Sequence, residues 1–508
     1  MRILTRTVQL IRKNLVYAVL LYFCLLIFDY WLVKTQFPTS SNSKLAYLQT
    51  PIEDVRIVEC GLFSPFCRPV LSFWRWDRSS HNLYRSWLPW KRAYVFVKRP
   101  SRYIAGVTPT VENLMIDHQL MKGKKHNLHI QYGPNGDVCD VEGLFGTDAS
   151  EVRRGWSPVQ SQFLYLGRPI LLTQRFCSYP LVPAIEDLKK NEPAFVDVPF
   201  DDRRETLKIL QLSDLHYATD RTKCRDSYPP ERPTDCMADA TTHAFVTDIL
   251  KRESPDLVLF TGDLITGDAV DDSKTSLMKA LASVVDYDIP FAVTYGNHDS
   301  LGDLANDEMA QIVHQVPGNI GLMGNISGVG NFVLRSPKRF SIYVLDSHAG
   351  TTNGRACPVY DAIKKDQLAW LRSKKTEFQN DPIQMVFFHI PLKEFCEVED
   401  MVGSYREKCS SSYCDPGTAR TLSELQIPVA VAGHDHVNDF CGIHTTYKVR
   451  FCMAGSTGFG GYGGHGGYIR RARLWELNPS KRTIRTWKRL EWPPEDRSKI
   501  FDEQTFDV

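Results

Sequence analysis

The sequence predicts an α/β protein with a largely parallel sheet, preceded by a membrane-spanning segment and a small β-rich domain. Three observations support this. After residue 206, short apolar runs of strand length alternate with segments of helical period. Between residues 50 and 200 the runs are short, β-branched and aromatic, and they are broken by Gly, Pro and Asp. Near the N-terminus lies one long apolar run.

The composition is that of an ordinary globular protein with more than one domain. The 508 residues include 61 Lys plus Arg against 59 Asp plus Glu, and 43% of residues are apolar. A protein that binds nucleic acid through phosphate neutralisation usually shows a basic excess, and a disordered chain lacks this apolar content. We therefore expect no nucleic-acid partner.

The first 36 residues are predicted to be a cytosolic tail and a transmembrane signal anchor. The segment from Leu15 to Val33 is apolar apart from Asp29, and about 20 apolar residues span a bilayer core. Four basic residues and no acidic residue precede it, so the positive-inside rule sends the remainder across the membrane. A cleaved signal peptide is the alternative, although no A-x-A-like site follows.

The cysteines agree with an oxidising compartment. Of the 13 cysteines, 12 lie beyond the apolar segment, which favours several disulfides over buried free thiols. Cys409 with Cys414 and Cys441 with Cys452 are candidate pairs, which the sequence does not decide. Asn325 in Asn-Ile-Ser is a glycosylation acceptor. We expect a single-pass membrane protein of the secretory pathway, in the endoplasmic reticulum, vacuole or cell surface, with its catalytic domain lumenal or extracellular.

Composition shifts divide the remaining chain. Residues 37–50 are a polar stalk, and residues 51–200 form the β-rich auxiliary domain, with strands predicted at Leu128 to Tyr132 and Pro169 to Leu172. Residues 206–475 form the α/β domain, and residues 476–508 are predicted to be a charged tail that packs poorly. Ala238 to Arg252 and the stripe containing Leu277 and Leu281 predict two helices of that domain. Its six predicted strands are Leu207 to Leu212, Leu257 to Phe260, Phe291 to Thr294, Ile342 to Leu345, Ile383 to Phe388, and Val429 to Ala432.

Polar residues that can bind metals follow five of these strands. Each residue alone has an ordinary explanation as a turn former, a helix cap or a buried histidine. Five such strand ends in one sheet indicate a shared site, because ligands gather outside the carboxyl ends of parallel strands. The residues are Asp214, His216, Asp263, Asn297, His298, His389, His434 and His436.

This residue set suits a pair of divalent metal ions. Imidazole and carboxylate together bind Zn, Fe or Mn, and two ions about 3.5 to 4 Å apart share one carboxylate and need about three further ligands each. The D-x-H and H-x-H spacings place both side chains on one side of an extended segment.

In order and spacing, these motifs resemble those of the calcineurin-like metallophosphoesterases: D-x-H, G-D, G-N-H-[DE], H and G-H-x-H. The N-terminal anchor and the segments VNDFCG and GFGGYGG are similar to those of fungal membrane-anchored phosphatases related to plant purple-acid-phosphatase-like proteins. The resemblance implies two mixed sheets sandwiched between helices, and a substrate role for His298 with Asp299 orienting it. It implies one metal held by Asp214, His216, Asp263 and His436. It implies a second metal held by Asp263, Asn297, His389 and His434, with Asp263 bridging.

The implied activity is hydrolysis of phosphate monoesters, in phosphoproteins or small molecules. Two divalent ions lower the pKa of a coordinated water toward about 7, so that a metal-bound hydroxide attacks phosphorus, and His298 is the candidate general acid. The same metal pair would hydrolyse lipid or glycan phosphodiesters, which is the alternative. An inactive membrane-tethered binding module is a third possibility, which predicts missing ligands, and none is missing.

Some features depart from the resemblance or carry less weight. Purple acid phosphatases have G-D-x-x-Y, whose tyrosine binds ferric iron. Here the tyrosine position is Thr266, which favours two divalent metals. We expect a structural role for His243, and a buried pair of Asp346 and His348. The Gly-rich segment 455–468 is either a loop that shapes the substrate entrance or a plain connection, and Arg470 and Arg471 contact either phosphate or solvent.

Overall fold

A computed structural model describes residues 47–61, 76–78, 91–116, 128–159, 163–165, 168–199, 204–228, 235–267, 270–350, 359–463 and 468–508, together with 14, 16–21, 23–25, 27, 67, 82–83 and 357. The chain divides into two units. The first comprises Met1–Thr147 and Gly155–Leu181, and the second comprises Asp148–Arg154 and Val182–Val508.

The first unit is built from strands, as predicted for the auxiliary domain. Its described strands are β1 Asp54–Gly61, β2 Trp76–Arg78, β3 Lys91–Lys98, β4 Thr110–Ile116, β5 Leu128–Gly133, β6 Val138–Phe145, β7 Trp156–Pro158, β8 Phe163–Tyr165 and β9 Arg168–Phe176. They form sheets ordered β1-β3-β2, β4-β5 and β6-β9-β7, with β8 also paired to β9. Side chains such as Val95, Val141 and Ile170 form its apolar core.

The second unit alternates strands and helices. Its helices are α1 Ile185–Asn191, α2 Ala238–Glu253, α3 Ser273–Val285, α4 Asn306–Val313, α5 Lys365–Glu377 and α6 Thr418–Glu424. Its strands are β10 Phe195–Asp197, β11 Leu207–Leu212, β12 Leu257–Thr261, β13 Phe291–Thr294, β14 Phe332–Ser336, β15 Phe340–Val344, β16 Ile383–Phe387, β17 Glu399–Val402, β18 Val429–Ala432, β19 Cys441–Ile443, β20 Arg450–Met453, β21 Arg471–Asn478, β22 Thr483–Leu490 and β23 Phe501–Asp507.

These strands form two mixed sheets. The six-stranded sheet has the order β13-β12-β11-β21-β22-β23, and the eight-stranded sheet has the order β10-β14-β15-β16-β18-β20-β19-β17. The pairs β11–β12, β12–β13, β15–β16 and β16–β18 are parallel, whereas β11 pairs with β21 in the antiparallel direction. The strands that lead into the predicted site are therefore mutually parallel within each sheet.

Three apolar clusters define the layers of the second unit. Between the sheets lie side chains of both, including Ile209, Leu259, Ile342 and Met385. Helices α2, α3 and α4 cover the outer face of the six-stranded sheet, and α5 and α6 cover that of the eight-stranded sheet. Each fully buried Leu, Ile or Phe contributes about 1.5–3 kcal/mol. The predicted α/β fold is confirmed, with two sheets between helical layers.

The predicted boundaries hold better inside the α/β unit than at its edges. Three predicted strands coincide with β11, β13 and β18, and the first predicted helix differs from α2 by one residue. The unit begins earlier than residue 206, because α1 and β10 belong to it. The prediction of a poorly packed tail at residues 476–508 is wrong. Leu477, Ile484 and Phe506 belong to the apolar layer between the sheets, and the charged Lys488 of β22 is buried against Asp439.

The twelve cysteines beyond the apolar segment form six disulfides: Cys60–Cys67, Cys139–Cys177, Cys224–Cys236, Cys357–Cys414, Cys396–Cys409 and Cys441–Cys452. The candidate pair Cys441–Cys452 is confirmed because these residues face each other across β19 and β20. The candidate pair Cys409–Cys414 is wrong, since Cys409 bonds to Cys396 and Cys414 bonds to Cys357. Close spacing of two cysteines in the sequence does not decide their pairing when the fold brings other cysteines nearer to each of them.

Within the described residues, we find no helix with both the length and the apolar character needed to cross a bilayer. Much of the predicted anchor, Leu15 to Val33, lies outside those residues, as does most of the predicted stalk.

A buried cluster of charges joins the C-terminal strands to the segment after β18. The Asp439 carboxylate is fully buried and contacts Arg471, and its Oδ2 lies 2.9 Å from Nζ of Lys488, which is also fully buried. Burial alone would raise the pKa of Asp439, but Arg471 and Lys488 lower it to about 2. The carboxylate charge is therefore needed to compensate two buried cations.

We expect Asp439→Asn to lower the free energy of unfolding by about 3–5 kcal/mol at pH 7, because Arg471 loses its buried carboxylate and Lys488 keeps only Asp502. The folded pKa is below the unfolded value, so this stabilisation is present above about pH 4 and is lost as pH falls toward about 2. Urea denaturation across this pH range measures the difference. The exposed Asp507→Asn is the control, and a wild-type-like Asp439→Asn at pH 7 contradicts the prediction.

Candidate metal centre

The predicted ligands lie at the carboxyl ends of parallel strands from both sheets. Asp214 and His216 follow β11, Asp263 follows β12, and Asn297 follows β13. From the other sheet, His389 follows β16, and His434 and His436 follow β18. Each of the seven residues is at most 9% exposed. The structure brings together all seven ligands predicted from the sequence.

Four of these residues have left-handed backbone conformations. The φ angles are 54° at Asp214, 52° at His216, 52° at Asp263 and 74° at His434. Such conformations are uncommon outside glycine, cost of order 1 kcal/mol or more, and cluster at functional sites. They turn the chain sharply after each strand, so that the side chains point toward one another.

The three glycines that precede predicted ligands have different physical roles. Gly262 has a φ of 91°, a left-handed conformation that glycine adopts without steric cost. A Cβ on Gly296 would lie 2.2 Å from Oδ1 of Asp263, and one on Gly433 would lie 2.1 Å from Oγ of Ser213. These two glycines are needed for space rather than for backbone conformation.

Candidate ligand atoms form two groups that share Asp263. One group contains Asp214, His216, Asp263 and His436, and the other contains Asp263, His389 and His434. In each group the ligand atoms lie within 4.8 Å of one another. Asn297 joins the second group, because its Oδ1 lies 3.2 Å from Nε2 of His389.

Hydrogen bonding fixes the tautomer of His389. Its Nδ1 lies 2.8 Å from the carbonyl oxygen of Thr261, which only accepts, so Nδ1 carries a proton. In the neutral ring, Nε2 then carries a lone pair. It lies 3.3 Å from Oδ2 of Asp263 and 3.2 Å from Oδ1 of Asn297. With Nε2 unprotonated, three acceptors converge on one point, an arrangement that either a proton or a metal cation between them stabilises.

The same reasoning applies to His436. Its Nδ1 donates to the carbonyl oxygen of Tyr462 at 2.8 Å, so Nε2 presents a lone pair. That Nε2 lies 3.0 Å from Nε2 of His216 and 3.5 Å from Oδ1 of Asp214. Oδ1 of Asp214 is buried and has no hydrogen-bond partner among the described residues. These atoms are arranged as metal ligands.

The charges at the site respond to burial and to each other. Burial alone would raise the pKa of Asp263, but the imidazoles, His389 foremost, hold it well below its ordinary value. Burial opposes protonation of His389, yet Asp263 raises its pKa to about 10. Burial, together with neighbouring imidazoles, lowers the pKa of His216 and of His434 to about 3. The Asp263 carboxylate thus favours a positive charge beside it, and His216 and His434 are neutral at pH 7. Imidazoles must be neutral to bind a metal ion.

His298 lies beside the ligands, whereas Asp299 has a different role from the one expected. The ring of His298 is 5.0 Å from that of His216, and its main-chain N–H donates to Oδ1 of Asp263 at 2.8 Å. Oδ2 of Asp299 accepts from the amides of Asp263 and Gly296, and its Oδ1 accepts from two further amides. No hydrogen bond joins Asp299 to the His298 ring in the described part of the chain. The prediction that Asp299 orients His298 is wrong, since its oxygens hold the main chain.

Two tyrosines at the site were not predicted individually. Tyr462 stacks on His436 with ring centres 3.9 Å apart, and Tyr360 meets His434 edge-on at 4.7 Å. The signal for Tyr462 was its glycine-rich context. A Cβ on Gly458 or Gly460 would lie 1.9 Å from a carbonyl oxygen of the Leu215 to His216 segment. The described part of segment 455–468 therefore packs directly on the ligand loops.

The remaining candidates have structural contacts. Thr266 donates to the carbonyl of His216. Asp346 accepts from main-chain amides and His348 bonds to Gln367, while His243 bonds to Ser283.

The two arginines after the Gly-rich segment also have protein partners. Arg471 contacts Asp439, as described above. Arg470 is buried and donates to main-chain carbonyls, so neither arginine matches the expected contact with phosphate or solvent.

Comparisons with known proteins agree with this site. The profile of the calcineurin-like phosphoesterase family matches residues 207–438. An uncharacterised protein of Schizosaccharomyces pombe is 58% identical over 98% of this chain and 98% of its own length. Phosphatase DCR2 of Saccharomyces cerevisiae is 33% identical over 72% of this chain and 66% of its own length. Probable inactive purple acid phosphatase 28 of Arabidopsis thaliana is 32% identical over 59% of this chain and 83% of its own length. With these matches and the clustered motifs, the chain belongs to the calcineurin-like phosphoesterase family.

Proposed function

We propose that this protein is a phosphatase that uses two divalent metal ions, of the class Mn, Fe or Zn, to hydrolyse phosphate monoesters. The observation that carries the proposal is the pair of ligand groups that share Asp263, with the tautomers of His389 and His436 fixed toward the centre. The family match and the relative named Phosphatase DCR2 support it. Some relatives are named probable inactive phosphatases, but this chain keeps every predicted ligand.

The protein's own residues would act as follows. Asp214, His216, Asp263 and His436 hold one ion, while Asp263, Asn297, His389 and His434 hold the other. The bound ions would lower the pKa of a coordinated water and neutralise charge on the phosphoryl oxygens. Asp299 keeps the Asp263 and Gly296 loops in place through its four main-chain hydrogen bonds.

His298 is proposed to protonate the leaving oxygen. Its ring lies beside His216, and its main chain is bonded to Asp263, so the imidazole is held next to the ligand groups at which a phosphate ester would bind. Nδ1 of His298 is buried and has no hydrogen-bond partner among the described residues. A neutral alcohol leaves more readily than an alkoxide.

We expect the purified full-length protein to hydrolyse p-nitrophenyl phosphate, to lose this activity with a chelator and to regain it with Mn²⁺. Parallel assays with bis(p-nitrophenyl) phosphate separate monoesterase from diesterase activity, because the metal pair suits both. A higher kcat/KM on the diester would replace the proposal with a phosphodiesterase. A folded, metal-loaded protein that is inactive on both esters would indicate a binding module.

His298→Ala should keep both metals and lower kcat by roughly 10² to 10⁴, the usual contribution of a general acid. Esters with good leaving groups should be affected less, because they need less protonation. The control is His243→Ala, an exposed histidine of α2. Metal content that falls in step with activity would identify His298 as a ligand and contradict the assignment.

We also propose that the catalytic domain is lumenal or extracellular and anchored by Leu15 to Val33. The six disulfides and the exposed position of Asn325 support this location. In sealed membranes, we expect an epitope after Val508 to be protected from protease, and glycosidase to shift the wild type but not Asn325→Gln. Protease access without detergent would reverse the orientation.

A further inference from the structure

The two ligand groups each contain one histidine with a hydrogen-bonded Nδ1, and the partner that orients it differs between the groups. Nδ1 of His389 is bonded to the carbonyl oxygen of Thr261, the last residue of β12. A strand of the six-stranded sheet therefore sets the orientation of this ring. Nδ1 of His436 is bonded to Tyr462, which lies in a loop outside any strand. One ligand is therefore held by the core of the fold, and the other is held by a loop.

Tyr462 contacts His436 at three places. Its ring stacks on the imidazole with an angle of 9° between the planes, and its carbonyl oxygen accepts the Nδ1 proton. Its phenol oxygen lies 3.3 Å from the main-chain nitrogen of His436 and donates to Oε1 of Glu407 at 2.9 Å. Together these contacts fix the plane, the tautomer and the backbone of a single ligand.

The loop that carries Tyr462 is itself fastened by buried polar contacts. Arg470, 2% exposed, donates to the carbonyls of Gly461 and Tyr462 at 2.9 and 3.0 Å. The amide of Gly463 donates to Oδ2 of Asp226 at 3.0 Å. Oε1 of Glu407, which accepts from Tyr462, also accepts from the amide of Val437 beside His436. The position of Tyr462 is thus determined independently of any metal.

We propose that Tyr462 is a positioning residue for one metal only, the ion held by Asp214, His216, Asp263 and His436. In the group of Asp263, Asn297, His389 and His434, His389 takes its orientation from β12, and no described contact joins the imidazoles of His389 and His434 to Tyr462. The inference rests on the proposed function only in treating the two groups as metal sites. Partners that orient a ligating histidine typically change metal affinity by 10- to 100-fold.

The test is equilibrium titration of the metal-free full-length protein with Mn²⁺, with bound metal counted by mass spectrometry. The wild type should bind two equivalents. Tyr462→Leu removes the ring and the hydroxyl, so one equivalent should bind 10- to 100-fold more weakly while the other keeps its affinity. A general loss of structure would weaken both equivalents alike, so the selective change identifies positioning.

Three variants complete the design. Both Tyr462 variants keep the main-chain carbonyl of residue 462. Tyr462→Phe also keeps the stacked ring, so it should restore most of the affinity lost in Tyr462→Leu. Tyr413→Leu, at a residue that is 75% exposed, should titrate like the wild type. Glu407→Ala leaves the ring in place but removes the acceptor of the hydroxyl, so it should weaken the same single equivalent by a smaller factor.

Specific outcomes overturn the proposal. Wild-type titration of Tyr462→Leu, or equal weakening of both equivalents in a folded Tyr462→Leu, would do so. If Tyr462→Leu does not fold, Tyr462→Phe and Glu407→Ala decide, and wild-type affinity in both rejects the proposal. Metal counting needs no substrate, so a wild type that binds two Mn²⁺ but hydrolyses no ester defeats only the proposed function.

Discussion

The central constraint of this structure is the sharing of one carboxylate by two groups of imidazoles. Asp263 is buried at the end of β12, and ligands from both sheets converge on it. An isolated buried carboxylate would be protonated, so its charge persists only because the positive character of His389 and its neighbours compensates it. The packing of the two sheets, the left-handed turns and the small residues beside Asp263 all serve to keep these groups together.

This constraint explains why the polar network around the site is so complete. Asp299 uses both oxygens on main-chain amides, and Thr261 and Tyr462 use carbonyls to set the tautomers of His389 and His436. Each contact restricts a side chain or loop in the folded protein, so less conformational entropy is lost when a metal ion binds. The site is therefore preorganised by the protein, at the expense of strained backbone at four positions.

Much of the fold and of the ligand set could be predicted from the sequence, because both depend on local patterns. The strand β11 and the turn from Asp214 to His216 are adjacent in the chain. The run of apolar residues predicts the strand, and the D-x-H spacing predicts the ligands that follow it. Contacts that join distant segments were not predictable. Asp299 was assigned to its neighbour His298, but three of its four partners lie 34 to 36 residues away. The stacking of Tyr462 on His436 likewise depends on the path of a distant loop. The C-terminal strands were missed for the same reason, since their charges are neutralised only in the folded sheet by groups such as Asp439.

The pairing of β11 with β21 has a consequence for the biosynthesis of this protein. β11 leads into Asp214 and His216, yet its antiparallel neighbour is Arg471–Asn478, more than 250 residues later, and His436 also comes late in the chain. Because a chain emerges from the ribosome in order, the ligand groups cannot be complete until the last strands of the six-stranded sheet are available. The growing polypeptide would pass through its early life without either assembled metal site, so metal loading would follow translation instead of accompanying it.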